Sequence, residues 1–269
     1  MTNELISLLS LLLPTGVVAG FIAGLFGLGG GVIMVPALLF LFTRYGLVYE
    51  HAMAMAVSTS LSVILPNALS SSFSHYRLGN MDLSVALKLV IPVVLGVILA
   101  SQFVVNTHGV ALSLVFACML WFVAFLLVFP NFAKFQVPDI FILRVPFGFV
   151  LGLLSGMAGV GGGALGVPIL MSFGLTAIRA VGTAASFGLM VSMPSVVAIL
   201  ITGEQFSEAP FGSIGLINVP AFLVLTFSSV FFAPIGAKVA SKLPEKVLKI
   251  MFCILLVVMG ARIFLSAWS

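Results

Sequence analysis

The sequence predicts an all-α integral membrane protein. It should consist of two inverted repeats of five hydrophobic segments each, with short or re-entrant hairpins broken by glycine. Three observations carry this expectation. Only 7% of the residues are charged and 62% are hydrophobic, whereas a soluble domain carries roughly 25% charged residues. The bilayer must therefore be the solvent for most of the chain. Apolar residues run continuously and do not alternate, which favours helices over membrane strands. Finally, a glycine-rich signature occurs twice, at Gly27–Pro36 and at Gly159–Pro168, half a chain length apart.

The elements follow in order. The first segment spans about 4–26, and no Lys or Arg precedes it. A secretory signal needs a positive amino-terminal region, so this segment is expected to be the first mature helix. Gly29, Gly30 and Gly31 then interrupt the apolar run and open a second segment at 31–43. The third, 51–74, carries Ser58, Thr59 and Ser60 at mid-helix and Pro66 two turns on. Segments at 83–105 and 110–129 complete a first repeat over residues 1–130. Residues 131–143, with Lys134, Pro138 and Asp139, form a linker to the second repeat at 144–269. Its segments are 144–158, 163–173, 179–201, 216–241 and 246–266.

The duplication reaches beyond the glycines. Ala56-Val57-Ser58 before Pro66 matches Ala184-Ala185-Ser186 before Pro194, with the same spacing from serine to proline in both. Gly79-Asn80-Met81-Asp82 aligns with Gly215-Leu216-Ile217-Asn218. Gly96 before Ala100-Ser101 resembles Gly236 before Ala240-Ser241. Residues 144–173 number only 30, and two full crossings plus a turn need about 40. The pair is expected to be a re-entrant or tilted hairpin with its glycine tip inside the membrane. Irregular backbone at that depth survives only when buried in protein or lining a wet cavity.

Charge sets the expected topology. With five segments per half, nine of the eleven basic residues share one side: Arg77, Lys88, Lys134, Arg144, Arg179, Lys238, Lys242, Lys246 and Lys249. Arg44 and Arg262 lie on the other, with Glu4, Glu50, Glu204 and Glu208. Four segments per half would divide the basic residues five against six. The positive-inside rule favours five. An odd number makes the halves inverted and puts both termini outside the cytoplasm. The formal charge of +4 is thus explained by membrane orientation, and no nucleic-acid motif is present.

The candidate site residues are Gly29, Gly30 and Gly31 with Gly161, Gly162 and Gly163, joined by Ser58, Thr59 and Ser186. Adjacent glycines allow positive φ and close backbone approach. The new helices begin at Val32 and Ala164, and free N–H groups at a helix start attract an anion. The competing role is tight helix packing. The three hydroxyls can donate to an oxyanion, and their competing role is bonding back to helix carbonyls. His51, His75 and His108 sit near segment ends, where interfacial placement is expected. Arg179 begins a helix, where it either recruits anions or fixes orientation. Cys118 and Cys253 are isolated and lack metal or redox spacing, so core packing is expected. No Asp or Glu lies in the middle of an apolar segment, where proton and cation relays are found. No catalytic constellation appears, and neither a metal nor another cofactor is called for. An enzyme is therefore not expected.

The paired Gly-Leu-Gly-Gly-Gly and Gly-Val-Gly-Gly-Gly loops, each followed by Pro, resemble the TauE/SafE sulfite-exporter family of membrane permeases. So do the helices His51–Pro66 and Arg179–Pro194 that follow them. The resemblance implies outward transport of a small sulfur oxyanion or organosulfonate (sulfite, sulfoacetate or thiosulfate) in a bacterial inner membrane. The expected partners are that anionic substrate and the lipid bilayer. A membrane potential, negative inside, supplies about 2.3 kcal/mol per charge per 100 mV for anion export. A permease for a cation or neutral solute, and a non-transporting scaffold, are the alternatives. The sequence does not indicate an oligomeric state.

Overall fold

In a computed structural model of the chain, the described residues are 2–26, 29–107, 109–128, 141–203, 208–240 and 243–268. His108, and all of the expected linker except residues 141–143, lie outside them. Among the described residues there are ten helices: α1 Thr2–Phe26, α2 Gly31–Arg44, α3 Tyr49–Arg77, α4 Leu83–Asn106, α5 Gly109–Val128, α6 Phe141–Ala158, α7 Gly163–Ser172, α8 Ala177–Thr202, α9 Val219–Ala240 and α10 Glu245–Ser266. Five stretches, within α3, α4, α5, α8 and α9, are long and apolar enough to cross a membrane. By contrast α2 and α7 have 14 and 10 residues. At 1.5 Å per residue these are about 21 and 15 Å long, short of a hydrocarbon core of about 30 Å.

Most of α3 is buried, which explains why it tolerates Ser58, Thr59, Ser60 and Ser62, all buried. A helix surrounded by protein need not present an apolar face to lipid. Around it the helices pair in matched sets. α1 lies along α9, and α6 along α4. α3 packs on α9, and α8 on α4. α2 packs on α3, and α7 on α8. Exchanging each helix with the one five later maps each of these pairings onto another.

Glycine ladders make the closest pairings possible. A methyl group added at Gly20 would strike the Ser229 carbonyl oxygen of α9, and one at Gly152 the Val93 carbonyl oxygen of α4. Gly16, Gly20 and Gly24 recur as Gly148, Gly152 and Gly156, in the same register that superposes the two glycine signatures. Small residues four apart let helix backbones approach closely in a membrane.

Side-chain contacts fix the helix directions. Asn218 N–H donates to the Thr59 hydroxyl at 3.1 Å, and the Asn67 side chain donates to Ser229 at 2.9 Å, so α3 and α9 run parallel. Along α8 the order reverses, because Gly188 meets Ala68 while Gly182 meets Asn80. Ile64, well along α3, packs on Gly29 and Gly31, whereas Thr43 and Tyr49 share a cavity wall. α2 therefore doubles back beside α3. In the other half Gly162 meets Val191 and Gly166 meets Ala184, so α7 doubles back beside α8.

Two details depart from expectation. Ser213–Ile214 and Ile217–Asn218 form a two-stranded antiparallel hairpin. Gly215, with φ 56°, supplies the positive φ that a two-residue hairpin turn needs at its first position. α9 accordingly starts at Val219, slightly later than the hydropathy suggests. Asn218 caps it, accepting from the Ala221 N–H at 3.0 Å. Asp82 caps α4 in the same way, accepting from Val85 N–H at 3.2 Å. The sequence match of Gly79–Asp82 with Gly215–Asn218 thus extends to the cap. The second departure is Cys118, which is exposed on α5 and not in the core. A thiol behaves as a small hydrophobe, so a lipid-facing surface accepts it as readily as the interior does.

Candidate functional site

The two glycine turns touch. A methyl group added at Gly31 would strike the Gly159 carbonyl oxygen, and one at Gly29 would lie 3.7 Å from the Gly161 Cα. Such approach requires residues without side chains. Gly30 and Gly162 precede α2 and α7 with φ 86° and 73°, in the left-handed region. Neither helix has a side-chain cap. The helices begin at Gly31 and Gly163, where the expected segments start and one residue before the helix starts expected at Val32 and Ala164. Their first N–H groups lack intrahelical acceptors, as at every helix start.

The second turn is held by its own capping motif and by α3. Val160 N–H bonds back to Ser155 and Gly159 N–H to Gly156 at 3.0 and 3.2 Å. This is the two-bond helix ending that places a glycine in the left-handed region, and Gly159 has φ 67°. The Ser60 hydroxyl then donates to the Gly159 carbonyl at 3.0 Å.

The expected site residues divide. Gly29 and Gly31 meet the other turn, while Gly30 faces Ala19 and Met34 of its own hairpin and Gly162 faces Phe187 and Val191 of α8. The Ser58 hydroxyl donates to the Ala54 carbonyl at 2.8 Å, and Ser186 to the Thr183 carbonyl at 2.6 Å. Both protons are thus engaged within their own helices. Thr59 accepts from Asn218. Arg179 pairs with Asp82 at 3.2 Å, joining the α3–α4 connection to the start of α8.

A cavity of about 50 Å³ adjoins the first turn. Gly24 and Gly29 border it on one side, and Ala233 of α9 on another. Ser71 and His75 of α3 line it, with Asn67, whose amide is bonded to Ser229, and Ser74, which donates to the Ser70 carbonyl at 2.8 Å. Asn67, Ser71 and Ser74 recur at spacings of four and three, so they share one face of the helix. The described lining residues include no carboxylate. His75, expected at an interface, forms part of this wall. A void needs about 10–15 Å³ to hold one water, so this one has room for a few waters or a small solute. Of these polar residues the sequence reading singles out only His75, and not for binding. The available signal is a polar face at helical spacing inside an apolar helix.

A larger cavity of about 310 Å³ lies at the far end of α2, beside Thr43, Tyr49, Arg262 and Ser266. It is remote from the turns, and its hydroxyls are engaged. Thr43 donates to Leu39, Ser266 to Arg262, and Tyr49 shares a hydrogen bond with Ser113.

Comparison with known proteins places the chain among membrane transporters. The family model described as "Sulfite exporter TauE/SafE" matches residues 12–263. A "Probable membrane transporter protein" of Haemophilus influenzae is 32% identical over 95% of this chain and 98% of its own length. A probable membrane transporter of Methanocaldococcus jannaschii is 28% identical over 96% of both chains. One of Bacillus subtilis is 26% identical over 94% of this chain and 96% of its own. No solved structure matches the chain. The chain belongs to the TauE/SafE sulfite exporter family of membrane transporters.

Proposed function

We propose that the protein exports a small sulfur oxyanion or organosulfonate, of the sulfite, sulfoacetate or thiosulfate class, through a site where the glycine turns meet. One observation carries this. The two glycine turns touch, and the first of them borders a cavity lined by serine side chains and the Asn67 amide, with no carboxylate among its described lining residues. Hydroxyl and backbone N–H donors suit an oxyanion.

In this reading residues 1–130 and 144–269 are inverted repeats, joined by 131–143, in a bacterial inner membrane. The parallel course of α3 and α9 supports five segments per half, since four would run them in opposite directions. The cavity lies toward the Arg77 end of α3, the side rich in Lys and Arg. By the positive-inside rule that side is cytoplasmic, and both termini are then outside. A cytoplasmic anion enters the cavity, reaches the turns and leaves down the electrical gradient.

Proteoliposome flux tests this directly. Sulfite, sulfoacetate and thiosulfate are each loaded inside, with and without an imposed potential. Efflux of one that follows the potential is expected. Failure of all three to move, in vesicles where a cation or a neutral solute does, would overturn the reading.

A further inference from the structure

Three hydroxyls without partners gather in the second half. Ser155, Ser192 and Ser195 are 1%, 0% and 0% exposed, and none has a hydrogen-bond partner among the described residues. Such groups are rare in folded proteins, because burial withdraws the hydroxyl from bulk water. Ser192 and Ser195 share one face of α8. Ser155 is in the last turn of α6. A methyl group added at its neighbour Gly156 would lie 3.8 Å from the Ser195 hydroxyl and 2.7 Å from the Ala100 side chain. The three serines therefore belong to the region where α4, α6 and α8 meet the second turn.

Their positions mirror the open cavity. The glycine ladders superpose α1 on α6, with Gly24 on Gly156, and the Ser58–Ser186 match superposes α3 on α8. In these registers Ala23, Gly24 and Asn67, which line the cavity, correspond to Ser155, Gly156 and Ser195. Ser192 corresponds to Ile64, which packs on Gly29 and Gly31. Because α6 and α8 run opposite to α1 and α3, the mirrored space leads to the opposite face of the bundle. Here Ala100 stands against Gly156, and at the end of α8 Leu216 lies 3.3 Å from a methyl group added at Gly203.

We propose that Ser155, Ser192 and Ser195 form the second half of the oxyanion path, closed in this conformation and opened toward the opposite face when the two halves exchange roles. The inference rests on the proposed cargo only for its ligand class, a small oxyanion that accepts hydrogen bonds from the three hydroxyls. The mirrored geometry is independent of the cargo.

The test uses the full chain with Cys118→Ser and Cys253→Ser, in sealed vesicles of defined orientation. Ser71→Cys, Ser155→Cys and Ser195→Cys are exposed to a membrane-impermeant thiosulfonate from either face. Ser71→Cys is expected to react from the Arg77 face, and Ser155→Cys and Ser195→Cys from the opposite face only. Folded, transport-active variants in which the latter two resist labelling from that face overturn the proposal. Separately, Ser155→Ala/Ser195→Ala is expected to slow sulfite efflux about tenfold or more, the loss of hydrogen bonds to a charged group. Wild-type efflux in that double variant also overturns it. Labelling as expected, with no sulfur oxyanion transported, leaves the mirrored path standing and removes the proposed cargo.

Discussion

The Ser60 hydroxyl and the Gly159 carbonyl, from opposite halves of the chain, are joined by a buried hydrogen bond of 3.0 Å. Through it the central helix of the first half holds the glycine turn of the second. Ser60→Ala leaves the carbonyl without this donor. Stability should fall by about 1–3 kcal/mol, read as a lower Tm for the purified protein in detergent. An unchanged Tm would show that backbone packing alone holds the turn.

Substitution at the turns should separate crowding from backbone strain. Gly30 and Gly46 have nearly the same φ, 86° and 88°. A side chain at Gly30 meets the Ala19 carbonyl and Met34 at 3.1 Å, whereas one at Gly46 meets nothing within 4 Å. Gly30→Val should abolish efflux, and Gly46→Val should show only the strain of a left-handed valine, about 1–3 kcal/mol. Gly162→Val, pressed 2.9 Å from Phe187 Cβ, should resemble Gly30→Val. Equal efflux from all three variants, at equal insertion, would remove the turns from the transport path.

The Asp82–Arg179 pair should matter less than the cap beside it. Arg179 is 53% exposed, so the ion pair contributes at most about 1 kcal/mol and weakens in salt. Asp82→Ala also removes the α4 cap, a loss of typically about 1 kcal/mol. Thermal melts should therefore rank Asp82→Ala below Arg179→Gln, and Arg179→Gln should retain efflux. Loss of efflux in a well-folded Arg179→Gln would identify the guanidinium as a carrier of the anion.

Topology is checked with a reporter fused after Ser269. The expected location is outside the cytoplasm, from the nine-to-two division of basic residues. A cytoplasmic signal would reverse the assignment of the cavity to the cytoplasmic side.

Coupling is checked by clamping the potential across proteoliposomes. Each unit of negative charge moved outward across 100 mV, inside negative, gains about 2.3 kcal/mol, so efflux should rise with an inside-negative potential at constant ion gradients. Efflux that ignores the potential and requires a Na⁺ or H⁺ gradient would refute a purely electrical drive.

Much of this was legible in the chain, for physical reasons. Long apolar runs have few alternatives to membrane helices, and left-handed backbone is open almost only to glycine, so the spans and turns stood out. Polar positions were harder, because a serine in an apolar helix has two uses with the same sequence. Ser58 and Ser186 bond within their own helices, while Asn67 and Ser71 line a cavity. Only the neighbouring helix decides between these outcomes. The two-residue strands at 213–218 were too short to produce an alternating pattern. The Gly96–Gly236 match is also displaced. Gly16 meets Ser228 where Gly148 meets Pro92, so Pro92 corresponds to Ser228 and Gly96 to Phe232, one helical turn before Gly236. A shift of one turn is invisible to a comparison of small residues that recur every four.

The glycine ladder of α1 has a consequence for biogenesis. Gly16 packs against Ser228, in a helix made only when most of the chain has been synthesised. At about 5–20 residues per second of synthesis, α1 waits roughly 10–40 seconds in the bilayer for its mate. Throughout that interval its small-residue groove faces lipid or an insertion factor. A nascent chain stalled before α9 therefore lacks the helix that fills this groove in the finished molecule.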